Sequence, residues 1–311
     1  MFKNVKYPFV KVFSLIGFVF LIVMSCKNKQ DDKETILQGS ASFLVDETIR
    51  PIIEDQVAVF ESQYPAKITQ INKSESEIIN LMISGKGNIA FLSRKLTAQE
   101  AKAFENKSIT PRITKFAVDA IALISNKAAN DSIVDLQQVI NLMQGKPSTI
   151  KGLVFENPNS STVRYMDSLA GVSNTEKPGI YSLKSHEDVL KYVSENKGVI
   201  GVVGLNNIVQ PDPTWQKYMD VITVMGVSNV KNKAEKVVYY KPNQSNLALG
   251  LYPMQRNLYM LNYQGSAGLG MGFASFIAGE IGQRIVLKSA LLPVTMPGRS
   301  VSIRKEIINN K

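Results

Sequence analysis

Cysteine and histidine are almost absent from this 311-residue chain, which contains one residue of each, Cys26 and His186. A zinc site needs several thiolate or imidazole ligands, so these residue types cannot supply one here. The sequence also lacks the His-Glu-x-x-His, Gly-x-Ser-x-Gly and Walker A patterns of common hydrolases and nucleotide-binding enzymes. We therefore expect no catalytic step, no cofactor and no metal, and we interpret His186 as a solvated residue at a helix start.

Repeats and basic clusters are missing as well. No unit of about 20 to 50 residues recurs, which excludes a solenoid. The formal net charge is +10, yet the lysines and arginines are scattered and accompany no zinc-finger spacing or RNA-binding aromatic signature. We expect no nucleic-acid partner, and the positive charge instead favours an anionic ligand or an anionic surface.

The longest apolar run lies near the start of the chain, from Val12 to Met24, after Lys3, Lys6 and Lys11. It is too short to span a bilayer comfortably, and the lysines before it are typical of a secretory signal. Val23-Met24-Ser25-Cys26 resembles the bacterial lipobox, in which the signal is cut before a cysteine that is then lipidated. We therefore predict a signal peptide over residues 1–25 and a lipid anchor at Cys26.

The residues after Cys26 predict a solvated tether over residues 26–38. The expected location is a bacterial membrane, with the protein facing the periplasm. Lys29-Gln30-Asp31-Asp32 is similar to the acidic tags that send some lipoproteins of the Bacteroidota to the cell surface, so surface display stays open as a hypothesis. Cleavage before Cys26 would leave no cysteine for a disulfide, and the fold must then be held by its core.

The full sequence is 44% apolar and 20% charged, and its length is enough for one large two-lobed unit or two ordinary domains. Residues 40–45, 67–71 and 88–92 predict strands, and amphipathic helices with a capping box at Ser74 to Glu77 lie between them. This βαβαβ order is typical of a parallel sheet with both faces covered. Further on, residues 116–125 predict a buried strand that contains Asp119, and residues 272–289 predict one helix.

Hydroxyl groups gather at three predicted helix starts, each of which follows a strand. Any one of them is explained by a simple N-cap. Together they suggest more, because helix starts in such folds meet at the carboxyl ends of the strands and present free N–H groups and a positive dipole end to an oxoanion. The hydroxyl residues predicted for this site are Thr48, Ser74, Ser76, Ser160, Ser161 and Thr162.

Charged side chains complete the predicted site. Arg94 and Arg164 are candidates for a charged fork that grips an oxoanion. Asp119 is a candidate acceptor for the proton of a protonated oxoanion, which would separate hydrogen phosphate from sulfate. We therefore predict a binding site for an inorganic oxoanion.

Seven short segments occur in an order that resembles a known family over nearly the whole mature chain. They are Asn88 to Thr97 with Glu100, Ala117 to Asn126, Leu136 to Gly145, Ser160 to Arg164, Gly198 to Val203, Tyr252 to Arg256, and Gly282 to Ile285 with Pro293-Val294. In this order they resemble the phosphate-type solute-binding proteins of ABC transporters, periplasmic-binding-protein-like lipoproteins of the Bacteroidota type.

The resemblance implies an α/β fold of the two-lobed type II periplasmic-binding-protein class, with two mainly parallel sheets joined by two crossover strands. The crossovers would fall near residues 116–123 and 248–253. Lobe 1 would then comprise residues 39–116 and 250–311, and lobe 2 residues 117–249. The implied ligand is phosphate, held by Thr48, by Ser74 or Ser76, and by Ser160 to Thr162. The implied partner is an ABC permease, and the protein is expected to be a monomer.

The chain departs from the family pattern at three places. Asp46-Glu47 replaces a glycine-containing turn, Ser161 replaces a glycine, and an arginine often found shortly before Ser160 is missing. We interpret Asp46 as an N-cap that points outward. These departures leave an alternative open, a surface lipoprotein that uses the same scaffold to bind another ligand, a peptide or a partner protein. A phosphatase is disfavoured because the sequence offers neither metal ligands nor an activated nucleophile.

Overall fold

The structure is a computed structural model that describes residues 34–105, 109–173, 177–228 and 237–298. The predicted signal segment, Cys26 and the first residues of the predicted tether lie outside these ranges. Among the described helices, none has the length and apolar character that crossing a bilayer requires.

The first part of the chain forms the βαβαβ unit that its sequence predicts. Strand β1 pairs in parallel with both β2 and β3. Helix α1 begins with Pro51 in its first turn, where the missing N–H costs nothing. The unit consists of β1 (Gly39–Asp46), a 3-10 turn (Glu47–Ile49), α1 (Arg50–Gln63), β2 (Ala66–Lys73), α2 (Glu75–Ile83), β3 (Ile89–Leu92) and α3 (Ala98–Glu105).

A single long strand, β4 (Arg112–Asn126), connects the two halves of the molecule. Its first part pairs antiparallel with β12 (Gln255–Asn262), which in turn pairs antiparallel with β3. Its last part pairs antiparallel with β8 (Val199–Gly204). Ten of the described strands therefore form one continuous, mixed sheet in the order β2-β1-β3-β12-β4-β8 and onward through two further strands, with two short strands added along β4. Three other short strands form a small separate sheet.

The second half has its own parallel strands, in which β6 lies between β7 and β8. Helix α5 (Ser161–Ala170) ends at Gly171, whose left-handed conformation (φ 66°) suits glycine and stops the helix. The elements between β4 and β12 are β5 (Ile133–Val134), α4 (Leu136–Met143), β6 (Gly152–Glu156), α5 (Ser161–Ala170), β7 (Ile180–Leu183), α6 (His186–Glu195), α7 (Leu205–Val209), α8 (Gln216–Met219), β9 (Ile222–Val224), β10 (Gly226–Ser228), β11 (Tyr239–Tyr240) and α9 (Gln244–Ala248).

The helix expected over residues 272–289 is in fact two helices, α10 (Leu269–Ala278) and α11 (Glu280–Lys288), followed by β13 (Leu292–Pro293). The single-helix prediction was wrong because Gly279 is extended (φ −79°, ψ 176°) and breaks the helix. Gly282 then lets α11 approach α10 closely, since a Cβ there would lie 2.5 Å from the Ile277 Cα. Gly272 lies against the backbone of Ile36 and leaves no room for a side chain there.

The hydrophobic cores divide within β4. Phe116 and Ala117 belong to a core formed by residues 43–117 and 258–291, where Phe273 packs edge-on against Phe60. Ala120 to Ile124 belong to a second core, formed by residues 120–254. We refer to the parts around these two cores as lobe 1 and lobe 2. The carboxyl ends of β1 and β6, and the helix starts that follow them, face each other between the lobes.

Candidate ligand site between the lobes

Two of the three predicted helix starts meet between the lobes. Thr48 lies in the 3-10 turn after β1, and Ser161 lies in the first turn of α5 in lobe 2. Their hydroxyl oxygens are 2.8 Å apart and share a hydrogen bond, and both side chains are fully buried. The sequence prediction that these two residues lie together is therefore confirmed.

Arg256 joins this pair to Asp119. The two residues are directly opposite on β12 and β4, so their side chains share one face of the sheet. Arg256 Nε donates to Asp119 Oδ2 at 2.9 Å, and Nη1 donates to Ser161 Oγ at 2.9 Å. Gly204 makes room for the guanidinium, because a Cβ there would lie 3.0 Å from Arg256 Nη2. One arginine thus contacts both the sheet and the lobe 2 helix start.

Sequence reasoning did not assign Arg256 to the site, although a signal was present. In β12 the side chains alternate, so Arg256 shares a face with the buried Leu258 and Met260. A charge on such a face requires a partner. Asp119, the other charge within an apolar strand, is that partner, and both side chains are almost completely buried.

The prediction that Asp46 is an outward-pointing N-cap was wrong about its direction. It does cap the 3-10 turn, since Oδ1 accepts from Thr48 N at 3.0 Å, but the side chain is fully buried beside Ser161 and Arg256. Lobe 2 covers the Asp46 side chain, and the sequence around Asp46 gives no sign of this contact. Burial raises the pKa of Asp46 to about 6, against the opposing attraction of Arg256. Burial likewise raises the pKa of Asp119, again opposed by Arg256.

The other residues of the lobe 2 helix start have distinct roles. Ser160 is the N-cap of α5: its Oγ accepts from Val163 N at 3.3 Å and donates to the Glu156 carbonyl at 3.2 Å. The Thr162 hydroxyl is buried and has no hydrogen-bond partner among the described residues. The backbone N–H groups of Ser161 and Thr162 belong to the first turn and have no partner within the helix. These groups are the free donors of the site.

The second predicted helix start lies apart from the buried pair. The predicted capping box is confirmed, since Glu77 Oε2 accepts from Ser74 N at 3.2 Å and from Ser74 Oγ at 2.8 Å. The Ser76 hydroxyl is exposed and donates across the lobes to the Asn159 carbonyl at 3.4 Å. Ser74 and Glu75 are buried, whereas Ser76 is exposed.

Arg94 and Arg164, the predicted charged fork, both bind Glu75. Glu75 Oε1 lies 2.8 Å from Arg94 Nε and 2.5 Å from Arg164 Nε, so it links lobe 1 to lobe 2. Arg94 also makes a bidentate pair with Glu100, at 2.7 Å and 2.8 Å. That bond lowers the pKa of Glu100 to about 2 and holds the pKa of Arg94 above its ordinary value. We call Glu75, Arg94, Glu100 and Arg164 the arginine cluster.

Helix α7 of lobe 2 occupies the start of α1. Asn206 Oδ1 accepts from Ile52 N at 2.8 Å, and Asn207 Nδ2 donates to the Thr48 carbonyl at 2.9 Å. The N–H groups of α1 are therefore partly capped from the opposite lobe, whereas the cap of α5, Ser160, lies on the same helix start and binds Val163 N. The Ser161 and Thr162 N–H groups have no acceptor within α5.

His186 does not fit its interpretation as a solvated residue. It begins α6, as expected, but only 9% of it is exposed, because its ring packs against Trp215 with centroids 5.3 Å apart. Its Nδ1 lies 3.4 Å from Glu156 Oε2. With Lys184 and Arg50 it lines a cavity of about 240 Å³ between the lobes. Within the described ranges, no three histidine, cysteine or acidic side chains are placed to hold a metal ion.

Known proteins share the sequence pattern and the fold of this chain. The model of the PBP superfamily domain matches residues 32–280. The phosphate-binding protein PstS of Pseudomonas aeruginosa PAO1 is 23% identical over 291 residues, which covers 84% of this chain and 85% of that protein.

Solved structures share the fold. One from Clostridium perfringens, with bound phosphate, superimposes with a TM-score of 0.66 at 21% identity and covers 83% of this chain and 100% of that one. An ABC-type phosphate transport receptor from Vibrio cholerae superimposes with a TM-score of 0.61 at 17% identity, covering 82% and 100%. The expected periplasmic-binding-protein-like α/β fold is therefore confirmed, and this chain belongs to the PBP superfamily.

Proposed function

We propose that this protein is a solute-binding protein that captures phosphate between its lobes and delivers it to an ABC permease, with no catalytic step. The observation that carries the proposal is the buried meeting of Thr48, Ser161 and Arg256, which brings donors from both lobes to one point. The names of the relatives from Pseudomonas aeruginosa and Vibrio cholerae support phosphate as the ligand.

The donors of this site suit an oxoanion. The first turn of α5 offers backbone N–H groups and the positive end of a helix dipole. In the structure, the hydroxyls of Thr48 and Ser161 bond to each other, and Arg256 Nη1 bonds to Ser161. Separation of the lobes would break the Thr48–Ser161 bond and release both hydroxyls for an anion. Arg94 and Arg164 would then contribute from the rim of the site.

Asp119 would supply specificity. One of its oxygens is bound by Arg256, and Oδ1 has no hydrogen-bond partner in the described part of the chain. An ionised carboxylate only accepts hydrogen bonds, so Oδ1 favours an anion that carries a proton. Hydrogen phosphate has such a proton, whereas sulfate has none at neutral pH and would be repelled.

Titration calorimetry of the mature protein, freed of any bound ligand, against phosphate, sulfate and molybdate tests this function. We expect phosphate to bind at micromolar concentration or tighter and sulfate to give no heat. Ser161→Ala should weaken phosphate binding by about 10- to 100-fold, the value of a charge-assisted hydrogen bond. The exposed Ser62→Ala, on α1, is the matched control and should bind like the parent. If no oxoanion binds at micromolar concentration, the proposal fails.

Lipid anchoring belongs to the same proposal, with residues 1–25 as the signal, Cys26 as the lipidated residue and residues 26–38 as the tether. The protein would then sit on a bacterial membrane and face the periplasm or the cell surface. Because Cys26 is the single cysteine, Cys26→Ser should abolish labelling by a palmitate analogue. Labelling that persists in this variant would contradict the anchor, and protease treatment of intact cells would decide surface display.

A second candidate function is the binding of another ligand, a peptide or a partner protein. Two observations favour it. Asp46 is a buried acid at the site, and the cavity of about 240 Å³ nearby is lined by two further acids, Glu47 and Glu156. A pull-down with membrane proteins of the native host would detect such a partner. Micromolar phosphate binding in calorimetry would favour the first function instead.

A further inference from the structure

The ligand site contains two buried carboxylate oxygens that nothing in the described chain satisfies. They are Asp46 Oδ2 and Asp119 Oδ1. Both residues have no exposed surface. A buried oxygen of this kind is costly unless it receives a hydrogen bond, and an ionised carboxylate cannot donate one. Ser161 lies beside Asp46, and the Ala120 and Asn206 N–H groups lie beside Asp119. No hydrogen bond of ordinary length and angle reaches either oxygen from the described residues, so both oxygens can accept from a donor outside the chain.

Their surroundings show which kind of donor fits. Among the described residues, Arg256 is the arginine that contacts both the Asp119 carboxylate and Ser161, and its charge offsets that of Asp119. The charge of Arg256 also acts on Asp46, although the two form no ion pair within 4 Å in the described part of the chain. The arginine cluster adds no net charge, because Arg94 and Arg164 are matched by Glu75 and Glu100. The site thus holds one more acid than base before any anion arrives.

The other charged groups around Asp46 do not remove this excess of acid. Lys73 lies opposite Asp46 in the β1–β2 register, but its ammonium contacts Glu77 instead. Glu47, bonded to Asn157, is an acid beside Asp46. The charged groups that face Asp46 or its immediate neighbours are Glu47, Lys73, Glu75, Asp119, Glu156 and Arg256.

We propose, on the basis of the phosphate-binding function, that Asp46 is a second acceptor for a ligand proton, so that the site selects dihydrogen phosphate over the doubly charged form. One acidic O–H of the anion donates to Asp119 Oδ1 and the other to Asp46 Oδ2. The remaining two oxygens accept from the α5 N–H groups, the hydroxyls of Thr48 and Ser161, and Arg256. The bound anion carries a single negative charge, which limits repulsion by the two carboxylates.

This role makes binding depend on pH. Dihydrogen phosphate loses a proton near neutral pH, so at higher pH the complex must take up a proton when it forms. Affinity then falls by up to about tenfold per pH unit above neutrality. Burial raises the pKa of Asp46 to about 6. The shared proton can therefore lie on Asp46 or on the phosphate oxygen, and the number of protons taken up on binding is the same in both cases. If Asp46 served only as an N-cap, its Oδ1 would be sufficient for that role. Phosphate affinity would then show no such dependence on pH.

Titration calorimetry with inorganic phosphate from about pH 6 to pH 9, in buffers of different ionisation enthalpy, measures both the affinity and the proton count. We expect the parent to take up about one proton per phosphate at about pH 8 and to lose about tenfold in affinity per unit. Asp46→Asn, which keeps the oxygen that accepts from Thr48 N, should take up none and show a flat profile. Glu47→Gln, which removes the neighbouring acid, should behave like the parent.

The outcomes separate this inference from the proposed function. Phosphate binding without proton uptake in the parent protein would overturn the role of Asp46, and that measurement does not depend on any variant folding. A parent-like slope in Asp46→Asn, or loss of the slope in Glu47→Gln, would overturn it too. Absence of phosphate binding at every pH would instead overturn the proposed function itself.

Discussion

Arginines meet acids at two places between the lobes, and the two places differ in a way that bears on ligand binding. Arg256 lies in a sheet with only 2% of its side chain exposed and has one acid partner, Asp119. Arg94 and Arg164, in loops and helices, are 20% and 36% exposed and share two acids, Glu75 and Glu100.

The difference lies in the donors that remain. Arg256 uses Nε and Nη2 on Asp119 and has Nη1 on a hydroxyl that can change partner. In the arginine cluster, Arg94 is bound by two carboxylates and a carbonyl. An anion would have to compete there with acids that are already in place. The buried arginine is thus better placed to bind a ligand than the more accessible ones.

The largest predicted effect comes from Arg256→Leu. It leaves the Asp119 carboxylate buried without its partner, and the free energy of unfolding should fall by about 3–5 kcal/mol. Urea denaturation at neutral pH measures this. Arg164→Leu is the control: its partner Glu75 keeps Arg94, so the loss should be about 1 kcal/mol or less. Equal losses in the two variants would remove the distinction between the two places.

The second prediction concerns the pH dependence of stability. Because the folded pKa of Asp46 is about 6 and its ordinary value is 3.8, the folded state holds more protons between these values. Its contribution to stability is fully present below about pH 4 and is lost as pH rises through about 6. The free energy of unfolding of Asp46→Asn should not show this decrease. The difference in unfolding free energy between the variant and the parent should therefore grow in favour of the variant by about 2–3 kcal/mol from about pH 4 to pH 7.5.

Glu100 in the arginine cluster should change the free energy of unfolding with pH in the opposite direction to Asp46. Its folded pKa is about 2, below its ordinary value of 4.5. Its contribution is therefore present above about pH 4.5 and is lost as pH falls towards 2. In denaturation curves, the stability difference from the parent should change mainly between about pH 2 and pH 4.5 for Glu100→Gln and mainly between about pH 4 and pH 6 for Asp46→Asn. Both differences persist at neutral pH, where Glu100→Gln should be less stable than the parent and Asp46→Asn more stable. A shared pH range for the two changes would contradict the assignment of these two acids.

Sequence reasoning found the local features of the molecule. The strands and helices of the first βαβαβ unit and the Ser74 capping box follow from short-range spacing and backbone chemistry. Asp119 was recognisable because one charge interrupts an apolar strand. Thr48 and Ser161 were brought together by the general rule that helix starts of such sheets face a common edge.

The features that it missed depend on contacts between distant segments. Asp46 is turned inward because lobe 2 covers it, and β12 supplies Arg256 from a position 137 residues beyond Asp119. Asn206 caps α1 from 154 residues away. No local pattern specifies such pairs. The burial of His186 under Trp215 has the same origin.

A third, smaller effect is expected from Glu75→Gln, which weakens the arginine cluster at its centre. Arg94 keeps its bidentate pair with Glu100, and Arg164 is exposed enough to be solvated. The loss in unfolding free energy should be about 1–2 kcal/mol, below that of Arg256→Leu. Urea denaturation compares it with Glu54→Gln, which breaks an exposed pair with Arg50 and should cost about 0.5 kcal/mol or less. A loss larger than that of Arg256→Leu would reverse the comparison.

The smallest effect tests whether the rim contributes to binding at all. The sequence predicts Ser76 as a donor to the anion, which would make Ser76→Ala cost about tenfold in phosphate affinity. In the structure its hydroxyl is exposed and donates to the Asn159 carbonyl at a long 3.4 Å. Because water can replace that bond, we expect calorimetry to show a change of about twofold or less, against the much larger change in Ser161→Ala. A tenfold loss in Ser76→Ala would mean that ligand binding draws α2 into the site beside Thr48 and Ser161.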